Sequence, residues 1–220
     1  MSVPRTIDLR AGIGDPSELD PVVEHLNSGG LVAHPTETVY GFGGLATGAG
    51  VAALRRLKPR TDERPFLLLI PSADAVAELH WSRDARELAS VFWPGALTLV
   101  LQDQSGSFPS GVRGATGGVA VRITSHPVTR VLVERLGRPI TSTSANLPGA
   151  APATSAEEAL GVAAEMAVGA ELWVLDAGRL APSPPSTVVD STGPHPVVIR
   201  VGATPVQRLR CVLPEIHGEP

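Results

Sequence analysis

The apolar residues of this chain come in short runs of two kinds, and the way the two kinds intermingle constrains the fold more than any other feature. Helical stripes with apolar side chains at three- and four-residue intervals include Val22, Val23 and Leu26, then Val51, Leu54 and Leu57, then Val128, Val131, Leu132 and Leu136. Strand-like runs bounded by Gly or Pro include Leu31 to His34, Phe66 to Ile70, Leu97 to Gln102, Val119 to Ile123, Pro139 to Thr143, Leu172 to Leu175, Thr187 to Asp190 and Val197 to Val201. Helices and strands mix without the strict alternation of a doubly wound sheet. The pattern therefore predicts an α/β (α+β) domain: a mixed parallel/antiparallel sheet with flanking helices. With 220 residues, a single domain over 1–220 is expected.

Local signals punctuate these runs. Asp20-Pro21 opens the first helix and Gly29-Gly30 closes it, while Pro59 disfavours helical geometry before it and ends the second helix near Lys58. Arg83 to Phe92 reads as a helix, His126-Pro127 opens another that stops at Gly137, and Ser155 to Glu158 has the form of a capping box. Pro182-Ser183-Pro184-Pro185 predicts a stiff extended connector across the surface.

Composition removes several classes of function. A hydrophobic content of 43% with 18% charged residues is that of a folded protein, and runs such as Leu67 to Ile70 are far too short to span a bilayer. The start MSVPRTIDLR has no apolar stretch for a signal peptide, so a cytoplasmic protein without a membrane partner is expected. One cysteine, Cys211, leaves no disulfide framework or Cys-rich zinc site, and none of the six histidines stands in a His-Glu-x-x-His pattern, so no protein-held metal is expected. Neither a P-loop nor a Gly-x-Ser-x-Gly elbow occurs. A net charge of −4 gives no general attraction to polyanions, so any such ligand needs a local basic patch.

The candidate chemistry lies in three segments. Of 18 basic side chains only Lys58 is a lysine, which suggests a place for a compact ammonium, although one lysine also survives by chance about as readily. In Lys58-Pro59-Arg60 and Ser144-Ala145-Asn146, extended backbone throws the first and third side chains to one side, giving two prongs suited to phosphate or carboxylate. Taken alone, the first triplet is more often a solvated helix end and the second more often a turn. The stretch Pro35-Thr36-Glu37-Thr38-Val39-Tyr40-Gly41-Phe42-Gly43-Gly44 reads as a glycine-rich turn whose hydroxyls can meet a polar ligand.

The segments PTETVYGFGG, LKPR, FWPGALTLVL, GVAVRITSHP, STSANLPG and STVVD, collinear over most of the chain, resemble the YrdC-type threonylcarbamoyl-AMP synthases of tRNA t6A modification. That resemblance implies a YrdC/RibB-like twisted open sheet with a deep basic cavity. It also implies formation of threonylcarbamoyl-adenylate and pyrophosphate from L-threonine, bicarbonate and ATP with Mg2+, for a downstream t6A transferase complex and tRNA. On the matching positions it assigns Lys58 and Arg60 to catalysis and Thr36, Arg60 and Ser186 to threonine. Lys58, Thr38, Tyr40, Arg122, Ser144, Asn146 and Arg200 are assigned to the nucleotide. The chain departs from the family pattern at Thr61, which follows Arg60 in place of proline, at Leu69, where longer members carry a threonine-contacting histidine, and at Ala96 and Pro185. Another reading, a double-stranded RNA-binding or ribosome-maturation factor, would use the same basic cavity without chemistry. A carbamoyl-transfer domain of the hydrogenase-maturation kind would need additional Cys-rich regions.

Overall fold

The computed structural model describes residues 4–58, 64–166, 169 and 171–218. Its strands are β1 (Arg5–Asp8), β2 (Leu31–Pro35), β3 (Tyr40–Gly43), β4 (Leu67–Leu69), β5 (Leu97–Gln102), β6 (Gly118–Arg122), β7 (Ile140–Ser144), β8 (Leu172–Asp176), β9 (Thr187–Asp190) and β10 (Val197–Arg200). They form one ten-stranded sheet in the order β1-β8-β2-β3-β7-β4-β6-β5-β9-β10. Pairing is mixed: β1 and β2 run parallel to β8, β4 to β6 and β5 to β9, and the other neighbours are antiparallel. The sheet is thus of the mixed kind that the intermingled apolar runs predict.

Six helices flank it: α1 (Asp20–Asn27), α2 (Gly48–Leu57), α3 (Arg83–Phe92), α4 (Pro127–Leu136), α5 (Ala156–Glu165) and α6 (Val206–Val212). Residues adjacent along one strand face opposite sides, and so divide between two cores. Val32 and Leu69 pack with Val22 and Leu26 of α1 and Leu132 of α4, whereas Ala33 and Leu68 pack with Leu54 of α2, Leu88 of α3 and Leu209 of α6. Each fully buried leucine contributes about 2 kcal/mol of transfer free energy, so both faces need their helical cover.

Helix ends follow local chemistry with two departures from the sequence reading. Thr47 and Ser82 accept the amides of Gly50 and Ala85, both at 3.1 Å, to start α2 and α3, and Gly137 stops α4 at φ +65°. Ser155 accepts from the Glu158 amide at 3.2 Å, but the Glu158 carboxylate bonds the Thr154 amide at 2.7 Å rather than that of Ser155, because Arg179 draws it outward at 2.8 Å. The complete capping box is instead at Asp15 and Glu18. His126 precedes α4 without a side-chain cap bond.

The segment read as a glycine-rich turn holds a turn over residues 36–39, but Tyr40–Gly43 within it form the strand β3. β3 is buried along its length, and a Cβ on Gly43 would stand 2.2 Å from the backbone oxygen of Thr141, so only glycine lets β3 and β7 approach this closely. β1 and α6 carry no strong pattern and were not expected.

His34 of β2 is wholly buried beside Gly41, and burial, reinforced by the nearby charge of Arg122, lowers its pKa to about 3. A contact with the Pro35 backbone offsets only part of this. Between its ordinary value of 6.5 and about 3, the unfolded chain takes up a proton that the folded chain refuses. Stability therefore falls as pH is lowered through that window and recovers as pH rises, with a slope of at most ~1.4 kcal/mol per pH unit from this group. Urea midpoints measured from pH 7 to pH 4.5 are expected to decline less steeply in His34→Asn than in the wild type; parallel curves would show that His34 does not contribute.

Candidate active site

The chain brings polar side chains together at the ends of its elements. Lys58 caps the C-terminus of α2, Arg122, Ser144 and Arg200 are the last residues of β6, β7 and β10, Ser186 immediately precedes β9, and Thr36 to Val39 turn between β2 and β3. Such positions suit a site, because the scaffold fixes the backbone while the side chain projects past the last ladder bond.

Lys58 is only 7% exposed, which excludes a solvated helix end. Its Nζ donates to the Ser144 backbone oxygen at 2.6 Å and to Asn146 Oδ1 at 2.7 Å, with Ser144 Oγ further off at 3.4 Å. Asn146 Oδ1 also accepts from Ser144 Oγ at 2.5 Å, and Asn146 Nδ2 donates to the backbone oxygens of Leu147 and Ala150. Those two carbonyls accept only from the amide NH2, so they fix which way Asn146 faces and turn its oxygen toward Lys58. The lysine and Ser-x-Asn prongs therefore meet directly. Buried Ala145 lies between the two polar side chains, as alternation requires.

Opposite residues are pinned in similar ways. Thr36 Oγ1 donates to the Val39 backbone oxygen at 2.8 Å and receives the amides of Thr38 and Val39, closing a tight turn whose Thr36 and Thr38 line the cavity. Arg200 donates through Nε and Nη2 to the Ser186 backbone oxygen at 3.1 and 2.9 Å and through Nη2 to Ser186 Oγ at 3.2 Å. Ser186 Oγ also meets Thr98 Oγ1 at 2.9 Å. Arg122 is buried, with its Nη1 3.7 Å from Glu37 Oε1.

Together these groups line an open cavity of about 540 Å3, in the size range of small-molecule sites. Its described lining includes the cations Lys58, Arg64, Arg122 and Arg200 and no carboxylate. Burial lowers the pKa of Arg122 and of Arg200, and each is lowered further by a neighbouring arginine, Arg200 acting on Arg122 and Arg64 on Arg200. Like charges gathered in a partly dry space attract an anion strongly. The absence of carboxylates gives the described lining no ready Mg2+ cage, and no group of three or more His, Cys, Asp or Glu among the described residues could hold a metal.

Of the residues singled out in the sequence, Thr36, Thr38, Lys58, Arg122, Ser144, Asn146, Ser186 and Arg200 all line this one cavity. Tyr40 does not. Its buried hydroxyl donates to the Gly178 backbone oxygen at 2.8 Å and accepts from the Ala177 amide at 3.0 Å, so it ties β3 to the loop after β8. Arg60 and Thr61 lie outside the described residues. Leu69 packs in the core beside α4, while Leu67, two residues earlier, reaches the cavity. Arg64, Leu67 and Thr143 also line it, and sequence reasoning missed them because each sits in a segment whose pattern signals only a strand or a loop.

An open cavity lined from strand and helix termini, rich in hydroxyls and cations, defines the small-molecule anion site of a mixed-sheet α/β protein. Residues 24–202 match the Sua5/YciO/YrdC domain family, described as telomere recombination, and the chain belongs to that family. It is 36% identical over 198 residues to a threonylcarbamoyl-AMP synthase from Pyrococcus abyssi, covering 89% of this chain and 57% of that protein. A protein from Mycobacterium tuberculosis is 38% identical over 192 residues, 86% of this chain and 85% of that one. The crystal structure of P. abyssi Sua5 complexed with L-threonine superposes with a TM-score of 0.88 at 33% identity, over 98% of this chain and 62% of that chain. The chain thus spans a little over half the length of the P. abyssi relative.

Replacing Lys58 tests whether the buried ammonium serves the cavity. Lys58→Ala is expected to weaken calorimetric binding of inorganic pyrophosphate by about tenfold or more, the effect of losing one charge-assisted contact in a water-poor site. Lys58→Arg is expected not to restore it, because a planar fork cannot converge on oxygens placed for a single ammonium. Full affinity in Lys58→Arg would show that charge alone matters there.

Proposed function

We propose that the chain joins L-threonine, bicarbonate and ATP into threonylcarbamoyl-adenylate, releasing pyrophosphate. The observation that carries this reading is the meeting of Lys58 with Ser144 and Asn146 inside a cavity whose described cations include Arg122 and Arg200, in a member of a family whose P. abyssi relative is named for that product. The threonine amine attacks the bicarbonate carbon and water leaves, giving a carbamate. A carbamate oxygen then attacks the α-phosphorus of ATP, and the bond from that phosphorus to the bridging oxygen breaks with loss of pyrophosphate.

Both partners in the second step are anions. The work of the site is to cancel their repulsion and hold them in line, which Lys58, Arg122 and Arg200 suit better than any acid/base pair. By their motif positions Thr36, Ser186 and Arg60 are assigned to the amino acid, Thr38, Ser144 and Asn146 to the nucleotide, and Arg60 to the reaction as well. Mg2+ enters as part of the MgATP substrate, held by phosphate oxygens, because the described lining supplies hydroxyls and amides but no carboxylate. The product is a reactive mixed anhydride, so a transferase complex acting on tRNA must consume it close by, in the cytoplasm. No helix of the described residues is long and apolar enough to cross a membrane.

Purified protein supplied with ATP, Mg2+ and bicarbonate is expected to release pyrophosphate only when threonine is added, with serine a poor substitute. Threonine-independent release, or tight binding of duplex RNA without turnover, would overturn the proposal.

A further inference from the structure

The cations of the cavity are not held alike. Lys58 donates to oxygens of Ser144 and Asn146, and Arg200 donates to Ser186. Arg122, its side chain only 4% exposed, donates no hydrogen bond to any described residue, and its Nε is buried without a partner. The anion that faces it is Glu37, whose Oε1 stands 3.7 Å from Arg122 Nη1, beyond hydrogen-bond reach but close enough for strong Coulomb attraction.

Glu37 is itself anchored from the other side. Its Oε2 accepts from Thr124 Oγ1 at 2.5 Å, and the same hydroxyl oxygen accepts the His126 amide at 3.2 Å, so the carboxylate is tied to the entry of α4. Glu37 is not needed to close its own turn, which Thr36 Oγ1 and the Thr36 amide close through Thr38 and Val39. Nor does it line the cavity.

We propose that Glu37 is a positioning residue: its carboxylate, set just outside hydrogen-bond distance, holds Arg122 aimed into the cavity by charge attraction while leaving the guanidinium donors for the reacting phosphate. A carboxylate in direct contact would consume those donors, and none at all would leave Arg122 facing only like charge. Burial and the charge of Arg200 both disfavour the Arg122 cation, and Glu37 is the neighbour that favours it. This inference rests on the proposed reaction, and it adds a role for the one acidic side chain in the Thr36–Thr38 turn, which the motif-based assignment passed over.

The test is steady-state threonine-dependent pyrophosphate release by the wild type, Glu37→Gln and Glu37→Asp. Glu37→Gln keeps the size and the acceptor for Thr124 but removes the charge. It is expected to lower kcat by about tenfold or more while the KM for ATP stays within about twofold or falls, because one anion fewer near a polyanion site favours ground-state binding but loses aim in the transition state. Glu37→Asp, which restores the charge at a shorter reach, is expected to recover part of kcat. Thr124→Val, which releases the far end of the carboxylate, is expected to show the same split more weakly and serves if Glu37→Gln does not fold. An unchanged kcat in Glu37→Gln, or a fall in kcat matched by an equal rise in KM and a lower melting temperature with no rescue by Glu37→Asp, would overturn the positioning role. A wild type without threonine-dependent release would sink the reaction itself, and this inference with it.

Discussion

The constraint on which the site depends is the cost of drawing several positive charges into one partly dry hollow. Lys58, Arg64, Arg122 and Arg200 all line the cavity, and the described lining holds no carboxylate to offset them. A buried cation survives only where hydrogen-bonding oxygens or a nearby counter-charge offset its lost water, and Lys58, Arg200 and Arg122 are handled by different devices. Lys58 is wrapped by a backbone oxygen and a side-chain amide, Arg200 forks onto the backbone of Ser186, and Arg122 is balanced by a carboxylate held at a small distance. Arg64 is exposed. The site is therefore preloaded with unspent positive potential. That is a state in which anionic groups can gather in one space.

Much of this arrangement was legible in the sequence because it rests on short-range rules. Period-2 and period-3.6 patterns mark most strands and helices, and Pro59 and Gly137 mark helix ends by backbone sterics alone. Lys58 as the sole lysine and Ser144-Ala145-Asn146 as an alternating triplet are visible at the same local level, and the structure puts them in contact. What sequence could not show is set by pairing across the sheet. β3 looks like a turn because its glycines weaken every strand signal, yet those glycines are what let β7 lie against it, as the 2.2 Å approach at Gly43 shows. Tyr40 was expected at the ligand on account of its hydroxyl; its place in β3 turns that hydroxyl to the loop beyond β8 instead. Glu37 escaped notice for a related reason, since its importance lies in Arg122 and Thr124, both more than eighty residues away.

The strand order also explains the proline-rich connector. β8 and β9 are separated in the sheet by six strands, and residues 177–186 must cover that distance in a single pass. At about 4.8 Å per strand the crossing of a flat sheet is about 34 Å, and ten extended residues reach about 35 Å at most. Sheet twist shortens the chord, but little slack is left. Pro182, Pro184 and Pro185 suit such a strap, because they hold the chain extended and spare it unpaired amides over an exposed stretch. The strap is fixed where it meets structure at either end: the Tyr40 hydroxyl and the Thr154 oxygen take Ala177, Gly178 and Leu180, and Arg200 and Thr98 take Ser186. Its far end delivers Pro185 and Ser186 to the cavity lining. Arg200, which bonds Ser186 at the strap's far end and lines the cavity beside it, thus joins the end of the strap to the cations of the anion site.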